Sequence, residues 1–85
     1  MPANQFLIPN KVRKKTHTFP EGVRQRIAKA LLAIRANPVS GTKLHGELDV
    51  YYKVRVGDYR IIYRFRSQES LVEIIKIEHR QGVYK

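Results

Sequence analysis

The chain has 85 residues, 17 Lys and Arg against 7 Asp and Glu, a formal charge of +10, and neither Cys nor Trp. That length holds one small core, so residues 1–85 are expected to form a single domain, and 42% apolar content separates the chain from disordered ones. Disulfides, thiolate metal sites and cysteine nucleophiles are excluded; no apolar run approaches the roughly 20 residues of a membrane span, and no secretory pattern opens the chain, so a cytoplasmic protein without membrane association is expected.

In chain order, Gln5 to Ile8 read as a short strand stopped by Pro9. Asn10 is expected to cap a short helix running to about Thr16. Thr18-Phe19-Pro20-Glu21 has the spacing of a capping box and predicts the start of a longer helix. Along it Val23, Ile27, Leu31 and Ile34 recur on one face with Ala30 beside them, while Arg24, Arg26, Lys29 and Arg35 fall largely off that stripe. Asn37-Pro38 ends this helix, because the residue before proline is pushed out of the α region. Val39 to Asp49, with Gly41 and Gly46, reads as a connecting loop anchored by Leu44 and Leu48. From Tyr51 the period changes to two. Tyr51 to Val56, the turn Gly57-Asp58 and Tyr59 to Arg66 predict a β-hairpin, and Leu71 to about His79 a further strand. The order β-α-α-β-β-β predicts an α+β fold, a small antiparallel-rich sheet with the two N-terminal helices packed on one face.

Up to Gly46 nine cations stand against one acid, and beyond it eight against six. Lys11, Arg13, Lys14 and Lys15, followed by Arg24, Arg26, Lys29 and Arg35, have only Glu21 to balance them. A charged run of this kind is ordinarily a solvated helix face; the scarcity of acids favours a binding surface for phosphates.

A two-residue hairpin loop pairs Val56 with Tyr59, Val54 with Ile61 and Tyr52 with Tyr63 on an apolar face. The other face then carries Lys53 opposite Ile62 and Arg55 opposite Arg60, with Arg64 further on. Like charges directly opposed destabilise a sheet, so an anionic ligand is expected there. Pairing by Glu73 or Asp58 is the competing explanation, less favoured because neither hairpin strand contains an acid. Regular alternation in the last strand places Val72 and Ile74 on the apolar face together with Lys76, and Leu71, Ile75 and Ile77 on the charged one. Its register is therefore open, and a central strand or an outer cover from the C-terminal segment or a partner is expected.

The stretch Tyr52-Lys53-Val54-Arg55-Val56-Gly57-Asp58-Tyr59-Arg60-Ile61-Ile62-Tyr63, followed by His79-Arg80 and Val83-Tyr84, resembles the RelE-type toxins of the RelE/ParE superfamily. The helix ending in Asn37-Pro38 and the segment Lys43-Leu44-His45-Gly46 arrive in the family's order, so the resemblance covers nearly the whole chain. It implies a RelE-like fold and the toxin of a type II toxin–antitoxin pair. It also implies a ribosome-dependent mRNA endonuclease, in which a 2′-hydroxyl attacks the adjacent phosphodiester in the ribosomal A site to leave a cyclic phosphate and a free 5′-hydroxyl. The implied partners are a cognate acidic antitoxin, mRNA and ribosomal RNA. The antitoxin is expected over the basic surface and the outer residues Leu71, Ile75 and Ile77.

Matched by position, Lys53, Arg55, Arg60, Arg80 and Tyr84 fall on the family's functional residues. Clustered Lys and Arg donors suit the negative charge of a phosphoryl transition state, and the Tyr84 ring suits stacking on an unpaired base or packing on the sheet. Where the best-known RelE pattern has a lysine as general base this chain has Arg55, and a guanidinium with a pKa above ~12 is a poor proton acceptor. His79, of a residue type with reference pKa ~6.5, is the neighbouring candidate for acid or base work, although alternation puts it and Arg80 on opposite faces. His17 and His45 read as ordinary loop or cap residues. No metal and no cofactor are expected, since a 2′-hydroxyl nucleophile needs none. Two alternatives stand beside the nuclease: a ParE-like toxin acting on DNA gyrase without cutting RNA, and a basic RNA-binding relative that binds without cleavage.

Overall fold

The computed structural model describes residues 2–44 and 51–79, so Arg80, Tyr84, His45 and Leu48 lie outside the described residues. The elements are β1 (Gln5–Leu7), α1 (Asn10–Thr16), α2 (Glu21–Ala36), β2 (Thr42–Lys43), β3 (Tyr51–Val56), β4 (Tyr59–Arg66) and β5 (Leu71–His79). They build a five-stranded sheet in the order β1-β5-β4-β3-β2. This is the expected α+β arrangement with one added strand. β1 joins the edge parallel to β5, and β2, expected to be loop, pairs antiparallel with β3 through Thr42 opposite Lys53 and Lys43 opposite Tyr52.

Both helices begin at a proline. Pro9 (φ −60°) and Pro20 (φ −56°) occupy the N-cap positions without side-chain capping bonds, so Asn10 and Glu21 are first helical residues. The expected capping box does not form, because the Thr18 hydroxyl donates to the Lys15 carbonyl at 2.6 Å and closes the end of α1. A proline suits each boundary: its φ is preset and the N–H it lacks would have no intrahelical acceptor. Glu21 in the first turn and Arg35 in the last complement the α2 dipole. Asn37, ahead of Pro38, leaves the helix with φ −144° and ψ 86°.

Val12 of α1 and Ile27 and Ile34 of α2 are buried against Tyr52, Ile61, Tyr63, Val72, Ile74 and Ile77 of the sheet. These strand residues share one face by register, so both helices cover the same side. Tyr63 stacks on Tyr52 at 5.3 Å, donates its hydroxyl hydrogen to the Pro38 carbonyl at 2.7 Å, and accepts from the Gly41 N–H at 3.3 Å. It thereby ties the segment after α2 to the sheet.

Burial pushes the Tyr63 phenol above its ordinary pKa. With the folded value above the unfolded one near ~10, the native state holds this proton more tightly. The resulting stability is full below pH ~10 and is lost as the pH rises through the folded pKa. Denaturant titrations between pH 8 and 12 should therefore show a loss above pH ~10 that is shallower in Tyr63→Phe. That variant is expected to be less stable at pH 8 by about 1–2 kcal/mol, because the buried Pro38 carbonyl and the half-buried Gly41 N–H lose a partner.

The β3–β4 hairpin has the register its two-residue loop dictates, with Val56 opposite Tyr59, Val54 opposite Ile61 and Tyr52 opposite Tyr63. Gly57 has φ +60° while Asp58 does not, the pattern of a type II′ turn. The Arg26 guanidinium lies over this turn, 3.3 Å from where a Gly57 Cβ would stand. Gly57→Ala is expected to lower stability by about 1–2 kcal/mol in denaturant unfolding, mainly through backbone strain, because the Arg26 side chain can yield.

β5 departs from the expected alternation. Ile62 pairs with Lys76 and Tyr63 with Ile74, leaving Ile75 as an unpaired extra residue. This bulge reverses the phase of the strand, so Ile77 sits in the core at 3% exposure opposite Ile61, and Lys76 moves to the outer face. Ile77 is thus not among the outer apolar residues. At the other end of β5, Ser70 adopts φ 50° and receives the N-terminal strand: its hydroxyl accepts from the Asn4 N–H and its carbonyl from the Gln5 N–H.

Candidate active site

The face of the sheet opposite the helices is organised in rows set by strand register. Nearest the hairpin turn lie Arg55, Arg60 and Glu78; in the next row Lys53, Ile62 and Lys76; in the third Tyr51, Arg64 and Glu73. Alternate residues of a strand are about 6.6 Å apart, which brings the first two rows within reach of one phosphodiester and its neighbours. The two hairpin strands supply Lys53, Arg55, Arg60 and Arg64, and β5 supplies Lys76 and both acids.

The acids neutralise the β4 column. Arg60 Nε donates to Glu78 Oε1 at 3.1 Å, and Lys76 Nζ lies 3.7 Å from the same oxygen. Arg64 is bonded to Glu73, whose hydrogen bond and charge raise the Arg64 pKa further, and its guanidinium carbon sits 5.9 Å from the Tyr51 ring centroid. The Nε of Arg64 is buried without a partner among the described residues. Arg60 is therefore ion-paired, through Glu78 rather than through Glu73 or Asp58. Among the described residues no acid lies within ion-pair distance of Lys53 or Arg55. The unbalanced charge of this face runs along β3.

The arrangement brings Lys53, Arg55 and Arg60 together, as expected from the hairpin. His79 is not on that face: it pairs with Tyr59 and its ring meets Tyr59 edge-on at 4.7 Å, and the Phe19 ring lies 4.6 Å from the Tyr59 ring. The helix cations Lys11, Arg13, Lys14, Lys15, Arg24, Arg26, Lys29 and Arg35 are all exposed. They belong to the layer on the opposite side of the sheet from Lys53 and Arg55, so the molecule has two cationic surfaces. His17 is the C-cap residue of α1. Sequence reasoning missed Glu78, Lys76 and Tyr51 as members of this face. The signal for Glu78 lay in its odd spacing from Glu73.

A model of the ParE toxin of the type II toxin–antitoxin system parDE matches residues 10–84, and the chain belongs to the RelE/ParE superfamily of toxins of type II toxin–antitoxin systems. Toxin RelG of Mycobacterium tuberculosis is 33% identical over 45 residues, 53% of this chain and 52% of that protein, so the match spans about half the length of that relative. Among solved structures, the RelBE2 toxin–antitoxin complex of M. tuberculosis is 24% identical with a TM-score of 0.78, covering 94% of this chain and 93% of that one. The archaeal RelE–RelB complex of Pyrococcus horikoshii OT3 is 25% identical with a TM-score of 0.76, covering 92% and 96%. A double mutant of the E. coli toxin RelE in the free state aligns with a TM-score of 0.80 at 20% identity over 99% and 90% of the chains, a likeness of fold. Among the described residues no helix is long and apolar enough to cross a membrane.

Proposed function

We propose that this toxin is a ribosome-dependent mRNA endoribonuclease and that the row-ordered face of the sheet is its active site. The observation that carries the reading is the juxtaposition of Lys53, Arg55 and Arg60, with Lys53 and Arg55 unbalanced by acids among the described residues. Attack of the 2′-hydroxyl forms the O2′–P bond, releases the O2′ proton to solvent and breaks P–O5′, and the negative charge that builds on the phosphate oxygens is stabilised by preorganised Lys and Arg donors. Arg55 and Arg60 are assigned to that charge. An ammonium exchanges protons more readily than a guanidinium, so protonation of the leaving 5′ oxygen falls to Lys53 rather than to Arg55. Arg80 and Tyr84 are carried over by position, as a further phosphate contact and a stacking ring.

Two opposed cationic surfaces fit a protein held between polyanions. Message lies against the Lys53 and Arg55 face, and ribosomal RNA backbone against the exposed cations of α1 and α2, a contact that weakens with salt. The partner is an acidic antitoxin, a reading supported by the RelB-bound states of the similar toxins, and the compartment is the cytoplasm. The match to the ParE toxin model favours a second reading, inhibition of DNA gyrase without RNA cleavage. Purified toxin added to a translating extract should cut message at discrete positions, and should leave the same message whole once ribosomes are removed. Intact message in both, with gyrase supercoiling inhibited, establishes the second reading instead.

A further inference from the structure

Glu73 and Glu78 are five residues apart, an odd separation that points two side chains to opposite faces of a regular strand. They share a face here only because the extra residue at Ile75 reverses the phase between them. One bulge therefore does two things, turning Ile77 into the core and turning Glu78 toward Arg60. Bulges elsewhere re-aim side chains beside active sites in this way.

The consequence for Arg60 is geometric. Glu78 is largely sequestered, with 19% of its side chain exposed, and its Oε1 takes the Arg60 Nε–H at 3.1 Å. A guanidinium held through Nε is fixed in plane and keeps both terminal nitrogens for a second, bidentate contact with an oxyanion. Without the carboxylate, Arg60 would face Arg55 directly across the hairpin, and repulsion would drive the two guanidiniums apart. Lys76, 3.7 Å from the same oxygen, balances the carboxylate so that it does not repel an incoming phosphate.

We propose that Glu78 is the positioning residue of Arg60, holding its guanidinium by Nε so that the terminal nitrogens meet the scissile phosphate. This rests on the endonuclease reading above. The test uses the full chain with Glu78→Ala, Glu78→Gln and, as a control on an exposed ion pair outside the three rows, Glu69→Gln. In a translating extract, Glu78→Ala should lower kcat at least tenfold with KM within about threefold of wild type. Glu78→Gln, which keeps an acceptor oxygen, should recover part of that loss, and Glu69→Gln should keep the wild-type kcat. In nitrogen-15 spectra the Arg60 Nε–H should be protected from exchange in wild type and exposed in Glu78→Ala, and inorganic phosphate should shift it only in wild type. An unchanged or raised kcat in Glu78→Ala overturns the proposal, since Glu78 would then only damp the local charge; so does an Arg60 Nε–H that exchanges alike in both proteins. If wild type leaves message whole, the endonuclease reading is what fails, and the exchange and phosphate comparisons still decide whether Glu78 positions Arg60.

Discussion

Replacing Lys53 or Arg60 by Ala is expected to lower the rate of message cleavage in a translating extract by about 10²–10³-fold each, the range found when one preorganised donor to a developing oxyanion is removed. The two act on one phosphate, so the double variant should be less impaired than the product of the single losses. Stability should move little: Lys53 has no ion pair among the described residues, and when Arg60 is removed the partly buried Glu78 carboxylate keeps Lys76 at 3.7 Å, so the loss is expected to stay at about 1 kcal/mol. Melting temperatures within a few degrees of wild type would accompany the loss of cleavage. Arg55→Lys keeps the cation and, with proton transfer assigned to Lys53, should not raise the rate above wild type. If cleavage survives Lys53→Ala and Arg60→Ala together, this face is not the cutting site.

The largest effect on stability is expected at the bulge. Ile77 is 3% exposed and opposes Ile61 in the core, whereas its neighbour but one, Ile75, is 36% exposed and unpaired. Ile77→Ala should destabilise the fold by about 2–5 kcal/mol, the sum of lost transfer energy and an unfilled cavity. Ile75→Ala should cost under about 1 kcal/mol. Against a total of roughly 5–15 kcal/mol for a small domain, the first change lowers the melting temperature by well over ten degrees and the second by only a few. Equal shifts in the two variants, followed by circular dichroism, would mean that β5 alternates regularly.

That pair of isoleucines also marks where the sequence became hard to read. The hairpin register was legible because a two-residue loop leaves the strands one way to pair, and with it the meeting of Lys53, Arg55 and Arg60. Helix α2 was legible because its apolar stripe keeps one phase from Val23 to Ile34 and Asn37-Pro38 stops it. The bulge has no residue-type signature; its trace is a change of phase. Val72 and Ile74 share a parity that Ile77 breaks, just as Glu73 and Glu78 differ in parity, and two such breaks around the adjacent Ile74 and Ile75 are what one inserted residue produces. Overlooking it placed Ile77 outside, left the register of β5 open and hid the partner of Arg60. The helix starts were misplaced for another reason. The Thr18 to Glu21 spacing satisfies the capping pattern, yet a proline between them takes the boundary and frees Thr18 to bond backward to Lys15. β2 escaped notice because two residues carry no period.

The most direct test maps the ends of message recovered from a translating extract treated with wild-type toxin and with the Lys53→Ala, Arg60→Ala double variant. Attack by a 2′-hydroxyl on a phosphate held by this face predicts discrete breaks bearing cyclic phosphates and 5′-hydroxyl ends in the wild-type reaction, and uncut message with the variant. Uncut message with both proteins, or breaks of the same kind and yield with both, would contradict it.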